Sequence, residues 1–192
     1  MHVTGLIHAQ RRLELTKRAF ASLSVIETAA EVQNNWFDFL VHWRGVIQSV
    51  GSASNDNVQN RQWFLDVKQE IKNDALLRYL NNARNHVEYG ISSSIDISAR
   101  ETFRVTRDAL GIHLVQLSDG TIRIVDNDGN EFSELTDSKL TVKLVDVTER
   151  DVSKIVCVPQ QHQGKNIEYD VLNVARLGLL WVESLVNTAI HL

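Results

Sequence analysis

Cysteine and proline are nearly missing from the chain: each occurs once in 192 residues, as Cys157 and Pro159. A single Cys excludes an internal disulfide and suits a reducing cytoplasm, and Cys157 is expected to pack as a small hydrophobe. So little proline fits a chain dominated by long helices, whose interiors proline breaks. The first residues, Met1-His-Val-Thr-Gly, have neither the basic region nor the apolar core of a signal peptide. No apolar run reaches the length that spans a bilayer, so no membrane partner is expected and the location expected is cytoplasmic. Strong basicity is also lacking. A formal net charge of -4 argues against wholesale electrostatic capture of a polyanion, while leaving room for a local basic patch. The seven His are scattered, none at a metal-ligand spacing from another His, a Cys or a carboxylate. Asp126-Asn-Asp-Gly-Asn130 has the look of a calcium loop, but its Gly comes too early and the closing acid is absent. There is no Gly-rich phosphate loop and no nucleophile elbow, so neither a metal nor a cofactor is expected.

What is present is helical periodicity. The length suits one domain, or one domain carrying a large insertion. Leu6, Ala9, Leu13, Phe20 and Leu23 keep one apolar face, broken only by Thr16. This first helix is expected to run on towards Ala30, with Ser24-Val-Ile-Glu27 as a capping box that would mark a break. Trp36, Leu40, Trp43, Ile47 and Val50 alternate four and three in a second helix, and two Trp on one seam are best explained as core. A third helical segment starts near Gln62, with Asp74 placed to cap its continuation to Gly90. The period then changes. Residues 113–125 read as a hairpin about Asp119-Gly120, residues 140–147 alternate like a strand, and a long apolar seam resumes from Ile167 to the end. Gly178 within that seam suggests close packing against a neighbour. The expected fold is α+β: an up-and-down four-helix bundle from residues 1–90 and 165–192, with a β-meander in the β-rich insertion 91–164 between the third and fourth helices.

The most informative stretch runs from Leu76 to Gly90. Leu76, Leu80, Ala83 and Val87 form its apolar stripe, and Arg78, Asn82, Asn85 and Tyr89 lie roughly opposite, with Asn81 beside them. Asn competes with the backbone for hydrogen bonds and is a poor helix-interior residue, so three of them in one helix ask for a reason. A solvated face is the plain one; a functional surface is the other. Arg11, Arg12, Lys17 and Arg18 on the first helix likewise read as a solvated face or as phosphate contacts.

Arg84-Asn85-His86-Val87-Glu88-Tyr89-Gly90 resembles the signature of the HEPN superfamily (higher eukaryotes and prokaryotes nucleotide-binding): an Arg, then a polar residue, then a His after four to six intervening residues. Ala83 to Ile91 also resembles the Ala-Arg-Asn-x-x-Glu-His-Gly-Ile stretch of a group of bacterial proteins. The resemblance implies a helical homodimer in which paired Arg and His act on RNA, within a defence or stress system. It places catalysis on Arg84 and Asn85, with Tyr89 standing where the His belongs and His86 about 60° round the helix from it. Arg78, Asn81 and Asn82 are the substrate-binding candidates beside them. Tyr, with a pKa near 10, is a poor general base at neutral pH, so the implied site is a degenerate ribonuclease. Two other readings stand beside it: a non-catalytic helical homodimerisation module, and a small-molecule sensor that uses the β insertion.

Overall fold

The computed structural model describes residues 1–25, 28–88, 93–105, 113–116, 122–125, 133–149 and 154–192. The described chain is mixed: five helices with small two-stranded sheets. The helices are α1 (Val3–Leu23), α2 (Ala29–Ala53), α3 (Val58–Asn73), α4 (Ala75–Glu88) and α5 (Val171–Ile190). The strands are β1 (Ile95–Val105), β2 (His113–Gln116), β3 (Ile122–Val125), β4 (Ser133–Leu144), β5 (Val147–Thr148), β6 (Ile155–Val156), β7 (Gln161–His162) and β8 (Lys165–Asn166). They pair as β1–β4, β2–β3, β5–β6 and β7–β8.

The chain divides into two compact units, one of Met1–Ile97 with Val142–Leu192 and the other of Ser98–Thr141. In the second, β2 and β3 pair antiparallel with His113 opposite Val125 and Gln116 opposite Ile122. The Asp119-Gly120 turn and the calcium-like loop at 126–130 lie outside the described residues.

The first unit is built on apolar helix faces. α1 buries Ala9, Leu13, Ala19 and Leu23, and Thr16 sits in the same row, fully buried, because its Oγ1 donates to the Arg12 carbonyl at 2.9 Å. The hydroxyl that interrupts the pattern in the sequence is thus satisfied within its own helix. The expected run of the first helix to Ala30 does not occur. α1 stops at Leu23, and α2 begins at Ala29 behind a capping box in which Thr28 and Glu31 satisfy each other's backbone N–H. Trp36, Phe39, Leu40, Trp43, Val46 and Val50 of α2 are buried. The Trp43 indole donates to the Gly178 carbonyl at 2.9 Å, and a Cβ on Gly178 would stand 2.5 Å from Leu80 Cδ1. Trp181 packs at 6.0 Å from Trp43, ring centre to ring centre.

The third helical segment is two helices, making five where four were expected. Asp74 leaves helical geometry and caps α4, its Oδ1 accepting from Leu77 N at 3.0 Å. The same carboxylate meets His162 Nδ1 at 3.0 Å and accepts from Gln163 N at 2.7 Å, tying the α3–α4 corner to the β7–β8 hairpin. That hairpin turns through Gln163 and Gly164, at φ 48° and 75°, the left-handed pair a type I′ turn requires. On the far side of α4, the buried Tyr79 hydroxyl faces the carbonyls of Ser94 (3.1 Å) and Val145 (2.8 Å), while Trp36 donates to Ser94 Oγ at 2.8 Å. Burial, with Asp146 adding to it, pushes the Tyr79 phenol far above its ordinary range. Cys157 is exposed, contrary to the expected packing. Val156 in β6 is the buried residue here, and Cys157 follows the end of that strand on the exposed side.

Candidate functional site

α4 carries all the residues singled out between 78 and 86, yet its geometry sends them in different directions. Arg78 and Arg84 are six residues apart, which leaves them about 120° from each other round the helix. Arg78 borders a 480 Å³ cleft with Ala75, Ile155, Cys157 and Asn166. Asn82 is buried and spends its amide on the Arg78 carbonyl at 2.9 Å. His86 is buried too, and its Nε2 accepts from the backbone N–H of Thr148 at 2.7 Å, with Thr148 Oγ1 against the same nitrogen. A ring nitrogen that accepts a backbone N–H carries no proton, so His86 ties α4 to β5 through that atom. Arg84 and Asn85 are half-buried, with Arg84 Nη1 donating to Asn85 Oδ1 at 3.3 Å. Tyr89 lies outside the described residues.

Arg84 is electrostatically coupled to Arg44 on α2. Burial first, and the Arg84 guanidinium second, hold Arg44 below its ordinary pKa. Arg44 in turn lines a cleft of 670 Å³ between α2 and α3, closed at one side by Asn81 of α4. Its cations are Arg44, Arg61, Lys68 and Lys72, and among the described residues no carboxylate lines it. α3 arranges this by spacing. Arg61, Lys68 and Lys72 are seven and four residues apart and share one side, whereas Asp66 and Glu70 lie about 140–180° round the helix from Arg61. Leu65 stands in the cationic row, 53% exposed, and Lys68 Nζ sits 5.2 Å from the Phe64 ring centre. Asn81 is the one substrate-binding candidate that reaches this cleft; its Oδ1 is sealed from solvent without a hydrogen-bond partner.

The basic residues of α1 do not join it. Arg12 lies over Gly45 and meets His42 Nδ1 at 3.1 Å, and burial followed by the Arg12 charge lowers the His42 pKa. Lys17 pairs with Glu14 and Glu183 at 3.1 and 3.3 Å. A third cleft, of 440 Å³, lies between α3 and α5, with Trp63, Leu177 and Trp181 along it and Glu70 accepting from the Trp181 indole. Among the described residues no group of His, Cys, Asp or Glu is placed to hold a metal, and no helix is long and apolar enough to cross a membrane.

The motif at 84–90 does not point to Arg44, Arg61, Lys68 and Lys72. The signal was available on α3, as like charges at helical spacing with the acids on the other side. For Arg44 there was none, since its partners are distant in sequence. Compared with known proteins, the chain matches no family model, no curated protein and no solved structure.

Proposed function

We propose that this chain is an RNA-binding protein of the HEPN-like kind, a degenerate ribonuclease of a bacterial defence or stress system, its helices forming the four-helix bundle of that superfamily with the strands as an insertion. The observation that carries the reading is the cationic cleft of Arg44, Arg61, Lys68 and Lys72, lined by no carboxylate among the described residues, with Arg84 of the signature near enough for its charge to act on Arg44. Such a cleft attracts phosphodiester backbone even on a chain of net negative charge, because the field is local. Arg84 has the chemistry to neutralise charge on a phosphate and Asn85 to orient one, but neither takes a proton at neutral pH. His86 is engaged by Thr148, which supports weak or no cleavage.

The first test is binding of a fluorescent single-stranded RNA at low salt, followed by anisotropy, for wild type and Arg84→Ala. Binding that weakens about tenfold in the variant fits the reading. No binding at tens of micromolar protein would defeat it. The second test is cleavage of a mixed RNA pool by wild type, Tyr89→His, and Tyr89→His with Arg84→Ala. A His at 89 supplies a group of pKa near 6.5, and general acid–base help typically contributes about 10²–10⁴ in rate. Strong wild-type cleavage that survives Arg84→Ala places the chemistry elsewhere.

The homodimer implied by the superfamily belongs to the same proposal. Val3 and Ile7, one turn apart on α1 and more than half exposed, support a face for self-association. Sedimentation showing only monomer at tens of micromolar counts against it.

A further inference from the structure

A lone exposed Leu on a helix is ordinary. Leu65 is not alone: it stands between Arg61 and Lys68 in one row on α3, on the wall of a cleft whose other apolar members, Ile47, Phe64 and Ile71, are buried. Arg61 and Lys68 are about 10 Å apart along the helix axis and Lys68 and Lys72 about 6 Å, with Arg44 facing them from α2. Steps of this size suit the phosphates of an extended strand. An apolar side chain between cations also needs something apolar to meet, and this separates two forms of the same polymer. A duplex turns its base faces inward and offers the cleft only phosphate and sugar. A single strand offers phosphates and unstacked base faces together.

We infer that the α2–α3 cleft holds an extended single strand of RNA, with phosphates on Arg44, Arg61, Lys68 and Lys72 and a base face against Leu65, and that Leu65 sets the preference for single strand over duplex. This rests on the RNA-binding reading above and names the form of RNA that the site takes. Leu65 is a specificity residue and takes no part in any reaction.

The test measures anisotropy of a labelled oligouridine and of an RNA duplex of equal length, across a salt series, with wild type, Leu65→Ser and Lys68→Ala. Four phosphate contacts predict a slope of log K against log salt of about -3 for the single strand. Lys68→Ala is expected to reduce that slope by about 0.7 and to weaken strand and duplex alike. Leu65→Ser is expected to weaken the strand about fivefold, with the slope and the duplex affinity unchanged. Helical circular dichroism of each variant guards against misfolding, and Leu65→Met, which keeps the apolar contact, is expected to bind the strand as wild type does. If wild type binds duplex as tightly as strand, or Leu65→Ser changes nothing, the inference is overturned while the RNA-binding reading stands. If neither RNA binds at low salt, the RNA-binding reading fails and takes this inference with it.

Discussion

Gly5 sits where α1 crosses the end of α2, and a Cβ placed on it would lie 2.7 Å from the Cβ and 2.8 Å from the Cα of Ala53. Both obstacles are fixed to backbone, so no rotamer change makes room. Gly5→Ala is expected to cost about 1–3 kcal/mol in urea melts, despite the better helix propensity of Ala. A cost near zero would mean that the two helices separate easily there. Trp43→Ala is expected to cost about 3–5 kcal/mol, since the ring is fully buried and its indole bonds the Gly178 carbonyl; less than 1 kcal/mol would contradict that packing. Residues like Trp36, Trp43 and Gly178 could be read in the sequence because helical period and burial are the same information. Gly5 could not, because a Gly in a first helical turn looks unremarkable until the partner helix is placed. Among the candidate site residues, the sequence shows Arg84 and Asn85 through a local pattern, but it also groups the buried Asn82 and His86 with them. His86 is held by Thr148, a partner distant in sequence that no helical wheel contains.

At the scale of elements, one carboxylate sets the α3–α4 corner. Burial alone would raise the Asp74 pKa, but hydrogen bonds from Gln163 N and Leu77 N and the contact with His162 outweigh it, and the group is held below its ordinary 3.8. The sign follows from that direction. A carboxyl whose folded value lies below its unfolded one adds stability in full above about pH 4, and that stability disappears as pH falls through the lower folded value. Asp74→Ala is therefore expected to be less stable than wild type by about 1–2 kcal/mol at neutral pH. The gap should close as urea melts are taken from pH 5 towards pH 2, and one that holds constant with pH would show that the charge is not what matters. The corner itself was half legible. Asp74 reads as a cap, yet the apolar period continues across it because both helices turn their stripes to one core. The boundary between α1 and α2 shows a different limit. The sequence offers Ser/Thr-x-x-Glu twice in succession, at 24–27 and 28–31; the second forms the capping box of α2, and Glu27 of the first lies outside the described residues.

For the whole molecule, the larger unit is interrupted in sequence: residues 98–141 form a compact unit of their own between its two parts. Replacing 98–141 by a short Gly-Ser linker is expected to leave the helical circular dichroism and a cooperative urea transition in place. A product with neither would show that the excursion is needed for the helices to fold. The discontinuity also bears on how the chain is made. The indole of Trp43 bonds a carbonyl 135 residues further on, in the last helix. At common rates of synthesis, about 5–20 residues per second, the inner face of α2 waits roughly 7–27 s for α5 to leave the ribosome. Through that interval a half-built core around Trp43 stands open, within reach of whatever shelters nascent apolar surface in the cell.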